Sequence, residues 1–169
     1  CSAASFLYTG ADAIQLDVEA DDIEPHRVAV LRGQIHTQDG FPLAGVKVTV
    51  LNHPEFGRTH SRDDGMFDLA VNGGSLLTVR YQKDGFLPVQ RHVDAPWQDY
   101  AWLPDVVMIP LDSQTTPIDL TAPTMQVAQG SLVTDMDGDR RATLLFPPGT
   151  TATVGGQSLS DLTVRATEY

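Results

Sequence analysis

The chain has 169 residues, 41% of them hydrophobic, and a formal net charge of −11. That charge repels phosphate backbones and anionic lipid, which disfavours nucleic acid and membrane-surface partners. No apolar stretch approaches the ~18 residues that span a bilayer, and a single cysteine, Cys1, rules out an internal disulfide.

Residues 1–27 are acidic around a few apolar side chains, so short strands are expected near 6–8 and 14–18, with linker up to Pro25. Cys1 in place of Met implies processing or a piece of a longer chain, and Cys1 beside Ser2 fits the lipidated first residue of a mature bacterial lipoprotein. From Val28 the texture changes to short runs of Val, Ile, Leu and Thr punctuated by Gly, Pro, Asn and Asp. Strands are expected at 28–36, 46–51, 58–61, 66–71, 75–82, 86–93 and 106–111. In the second of these Val46, Val48 and Val50 share one face, as a half-buried strand requires. Asp39-Gly40, Asp63-Asp64-Gly65 and Asn72-Gly73-Gly74 are the turns between them. Pro88 marks 86–93 as an edge strand. About seven short strands without helical periods between them indicate an all-β, antiparallel sandwich rather than βαβ units.

The tail gives further short strands at 118–120, 125–128, 132–134, 142–146, 151–154 and 162–167. The expected division is therefore an N-terminal strand and linker segment (1–27), a β-sandwich (28–112) and a smaller β unit (113–169). A unit of that size with few aromatics is marginal alone.

Two sets of residues carry a resemblance. Gly33-Gln34-Ile35, the run from Asp39 to Val46, Asp64-Gly65-Met66-Phe67-Asp68-Leu69 and Gly85-Phe86 resemble a transthyretin-like (carboxypeptidase regulatory-like) sandwich. Asn52-His53-Pro54-Glu55-Phe56-Gly57-Arg58-Thr59, Ser61 to Gly65, Asn72-Gly73-Gly74 and Pro96-Trp97 narrow this. They are similar to the transthyretin-like domain of teneurins and of bacterial teneurin-like proteins with YD (Rhs) repeats. The run from Ala142 to Ala152, with Val164-Arg165-Ala166-Thr167-Glu168-Tyr169, resembles the fibronectin plug of those proteins. The resemblance implies a cell-surface or secreted bacterial protein in which the YD repeats form a hollow β-shell. The plug closes one end of the shell and the sandwich packs beside the plug. The partner is then the YD-repeat shell of the same polypeptide, and no tandem Tyr-Asp repeat occurs within this chain.

The chemical motifs are incomplete. Asp135, Asp137 and Asp139 alternate like the opening of a calcium loop, but Arg140 stands where that loop needs Gly, and Phe146 where it needs Glu. A solvated hairpin tip between 132–134 and 142–146 is the plainer explanation. His53-Pro54-Glu55 is a fragment of the zinc deaminase signature without its cysteine pair, and the five histidines are dispersed. Gly40 and Gly45 have P-loop spacing, but Val46-Lys47 follows in place of Gly-Lys-Ser/Thr. No catalytic or cofactor site is therefore expected, and the first functional reading is a non-catalytic scaffold. Pro96, Trp97, Tyr100 and Trp102 are the interface candidates: proline-bracketed aromatics stack on sugars or anchor protein partners. The plain alternative is that they cap the sandwich edge or pack between the two β units. The rival function is an adhesive or carbohydrate-binding module that uses this segment.

Overall fold

The computed structural model describes residues 4–19 and 21–168; Cys1 lies outside them. The chain divides into two compact units, 1–109 and 110–169. The fold is all-β.

The first unit contains β1 (Val28–Thr37), β2 (Lys47–Val50), β3 (Thr59–His60), β4 (Met66–Asn72), β5 (Ser75–Gln82), β6 (Val89–Ala95), β7 (Tyr100–Trp102) and β8 (Val106–Met108). They form two four-stranded sheets. In one, β1 lies between β4 and β7, and β8 also pairs with β1; the other runs β3-β2-β5-β6. Alternation sets the inner faces. Val48 and Val50, and Leu77, Val79 and Tyr81, point inward from one sheet; Leu31, Ile35, Phe67, Leu69, Val106 and Met108 do so from the other. Phe67 meets Tyr81 edge to face at 5.7 Å. Gly33 sits opposite Phe67 in the β1–β4 register, and a Cβ there would come within 3.0 Å of the ring.

Most pairings are antiparallel, but β7 and β8 both pair with β1 in parallel. β7 was not expected: it is three residues long and sits among prolines. The strand expected at 86–93 shifts to Val89–Ala95, because Pro88 has no N–H to give the ladder. That strand does occupy the sheet edge.

The N-terminal segment departs most from expectation. Phe6 to Tyr8 is not a strand: Ser5–Leu7 is a 3-10 turn, with Leu7 N–H donating to Ala4 O and Tyr8 N–H to Ser5 O, and Leu7 buried. The expected strand at 14–18 reduces to one bridge, Leu16 with Arg58. The segment instead seals one side of the sandwich, where β3 and β4 are both edge strands. Leu16 exchanges two backbone hydrogen bonds with Arg58, next to β3. Buried Gln15 donates to Ala70 O and accepts from Ala70 N–H on β4. Asn72 accepts from Glu24 N–H and donates to Asp22 O. Unpaired strand edges invite pairing with other chains, and a covering segment blunts them.

The second unit is built of two-stranded ribbons: β9 (Thr116–Asp119) with β16 (Asp161–Val164), β10 (Gln126–Gln129) with β13 (Thr143–Phe146), β11 (Val133–Asp135) with β12 (Gly138–Arg140), and β14 (Thr153–Val154) with β15 (Gln157–Ser158). The Asp135–Gly138 turn is a hairpin tip, but its returning strand is Gly138–Arg140 rather than the expected 142–146, which pairs with β10. Among the described residues, Ile118 and Ala128 are the buried hydrophobic side chains of this unit.

Candidate functional site

The aromatic segment lies along the β7 edge of the first unit. The β1–β7 register places Tyr100 beside Val30 and Trp102 beside Arg32, with Ala101 turned toward the core. Tyr100 and Trp102 therefore share the outer face, 55% and 64% exposed. Pro96 and Trp97 precede β7 and rest on the turn between β4 and β5. A Cβ on Gly73 would meet Pro96 O at 1.7 Å, and one on Gly74 would meet Trp97 Nε1 at 1.9 Å. The paired glycines are thus the seat of the Pro96-Trp97 turn as well as a turn signal. Trp97 stays 59% exposed. Three of the four interface candidates, Trp97, Tyr100 and Trp102, are exposed, the last two on the outward side of an edge strand.

Cations accompany the rings. The Arg27 guanidinium lies 5.8 Å from the Trp97 ring centroid and that of Arg32 5.3 Å from Tyr100. Arg32 is held by Asp68, 4% exposed, at 2.5 Å, and Arg62 donates to the same carboxylate at 2.9 Å. The result is a strip of exposed aromatic rings, two of them paired with guanidinium groups.

The Asp135 turn is occupied by its own neighbours. Arg140 Nη1 and Nη2 donate to Asp135 at 2.7 and 2.6 Å, and the Asp137 N–H donates at 2.8 Å. These bonds pull the Asp135 carboxyl down to about 2. Asp139 accepts from Thr134 Oγ1. Among the described residues, no group of three His, Cys, Asp or Glu is placed to hold a metal ion. His53 stacks on Phe56 and pairs with Glu55 at 2.8 Å, a bond that lowers the Glu55 carboxyl.

A further surface was not singled out from sequence. In the β10–β13 ribbon, Val127 stands opposite Leu145, and the two are 46% and 58% exposed. Met125, Leu132 and Val154 of the same unit are also exposed, at 56%, 53% and 66%. Polar bonds tie the unit together in place of a core. Asp112 accepts from Gln114 N–H and from Ser131 Oγ–H and N–H, and these hold its carboxyl below the ordinary value. Arg140 reaches Glu168 at 2.5 Å. Adjacent leucines on a short strand were the available signal, but which one faces a partner depends on register.

Two facing sheets closed over an apolar interior define a transthyretin-like β-sandwich. The family model for the teneurin TTR-like domain matches residues 23–108, and the chain belongs to that family. Teneurin-3 of Danio rerio is 38% identical over 104 residues, which are 62% of this chain and 4% of the relative. Teneurin-4 of Homo sapiens is 31% identical over 112 residues, 66% of this chain and again 4% of the relative. The chain thus spans a small fraction of the curated relatives it matches. Among solved structures, 3-chlorocatechol 1,2-dioxygenase from Rhodococcus opacus 1CP is similar at 11% identity and a TM-score of 0.43, covering 62% of this chain and 70% of that one. No helix among the described residues is long and apolar enough to cross a membrane.

Proposed function

We propose that this chain is a non-catalytic pair of β units from a teneurin-like YD-repeat protein of a bacterial surface or exterior, supporting and plugging the β-shell built by the same polypeptide. The observation that carries the reading is the second unit's imbalance. Among the described residues Ile118 and Ala128 are its buried hydrophobics, while Met125, Val127, Leu132, Leu145 and Val154 are exposed. A soluble monomer seldom leaves that much apolar surface bare. A plug seated in a hollow body would bury it. Membership of the first unit in the teneurin TTR-like family supports the same context.

The test uses the full-length parent carrying Val127→Asp and Leu145→Asp. Both side chains are exposed in this chain, so the isolated pair of units should keep its stability to within about 0.5 kcal/mol. In the parent, seating two unpaired carboxylates against the shell is costly, and limited proteolysis should proceed at least about ten-fold faster. Unchanged proteolysis of the parent removes the plug reading. The exposed strip of Trp97, Tyr100 and Trp102 favours the second reading, an adhesive or carbohydrate-binding module. Specific glycan binding that disappears in W97A and W102A would put it first.

A further inference from the structure

The outer face of the β3-β2-β5-β6 sheet gathers cations that are dispersed in the sequence. Because Val48 and Val50 point into the core, Lys47 and Thr49 point out. Arg80 on β5 stands opposite Thr49. The loop after β2 and the start of β3 bring Asn52 and Arg58 to the same place. Together they line a cleft of about 450 Å³ whose one carboxylate is Asp17. Three cations against one anion give a local charge of 3 − 1 = +2 in a chain whose net charge is −11.

Arg58 is already engaged by Asp17. Lys47 and Arg80 are not: neither forms an ion pair with any described residue, and Arg80 Nε is buried without a hydrogen-bond partner. His60 on β3 stands opposite Lys47. Burial lowers its pKa first, and the charges of Arg58 and Lys47 lower it further. Thr49 hydroxyl and Asn52 amide add neutral donors at the wall. The volume is that of a small-molecule site rather than of a protein interface.

We propose that this cleft binds an oxyanion (sulfate, phosphate or carboxylate) carried by a small ligand, with Lys47 and Arg80 as its two charged grips. Guanidinium and ammonium groups supply charge-assisted bonds to such groups, Arg in a planar fork and Lys as a point charge. The site lies on the opposite sheet from Tyr100 and Trp102, and it does not depend on the shell reading.

The 169-residue chain itself serves for the test. It is titrated with sodium sulfate, sodium phosphate and sodium glucuronate in separate arms, with ionic strength held constant by chloride, and followed by backbone amide NMR. Saturable shifts confined to Thr49, Asn52 and their strand neighbours are expected in at least one arm, and the arm that saturates first identifies the anion class. Lys47→Gln and Arg80→Gln should each weaken binding roughly ten-fold or more. Arg165→Gln removes the same charge from the second unit and should leave affinity within about two-fold, since screened distant charges contribute little. Unperturbed spectra of the variants away from the cleft show that they are folded. Absence of saturation in all three arms, or equal weakening by Arg165→Gln, overturns the proposal.

Discussion

The side-chain amide of Gln15 occupies the place of a neighbouring strand at the open edge of β4. It donates to Phe56 O and Ala70 O at 2.8 Å each and accepts from Ala70 N–H at 2.7 Å, with 2% of the residue exposed. Removing it strands three backbone groups in the interior, so Gln15→Ala should cost about 2–4 kcal/mol. Urea unfolding checks this: the midpoint should fall while the slope stays the same. Nothing in the sequence marks Gln15, a polar residue in an acidic stretch, because its importance lies in which backbone groups it meets. Val46, Val48 and Val50 are the opposite case. Their alternation states the buried face directly, and all three are at most 4% exposed. Trp97 falls between: its place in a surface segment was legible, but its seat on Gly74 was not.

At the scale of elements, strands of the first unit followed the apolar runs, whereas pairings did not follow chain order. β7 joins β1 in parallel through a connection that leaves the first sheet and returns, a contact that no local signal encodes. In the second unit, the β11–β12 hairpin closes on Arg140, which the sequence showed only as a departure from a calcium loop. That departure has a measurable effect. The Asp135 carboxyl lies at about 2, against an ordinary 3.8, chiefly through Arg140. A depressed carboxylate stabilises the folded hairpin at pH values above the ordinary one, and the contribution is lost as pH falls through the lowered one. The carboxyl carbon of Asp135 should therefore titrate near 2, and Arg140→Gln should return it toward the ordinary value. NMR titration that finds Asp135 unmoved by the substitution contradicts the assignment.

At the scale of the whole chain, the two units differ in what holds them. The first has a continuous apolar core from both sheets; the second relies on ribbons, Asp112 and Arg140. Residues 1–109 alone should unfold in one cooperative transition. Residues 110–169 alone should show poorly dispersed amide spectra, because so small a core does not offset chain entropy. A well-dispersed spectrum from the isolated second unit would contradict this. The sandwich class was legible from strand spacing and the turn glycines. The cationic cleft was not, because Lys47, Arg58 and Arg80 converge only once β2, β3 and β5 are laid side by side. One consequence follows from the sealing segment. The family match begins at residue 23, downstream of Gln15 and Leu16. A polypeptide trimmed to those borders would keep its sandwich yet carry two raw flanks, each a template for the next copy. The region outside the recognisable domain thus covers two strand edges that would otherwise be open to pairing with another chain.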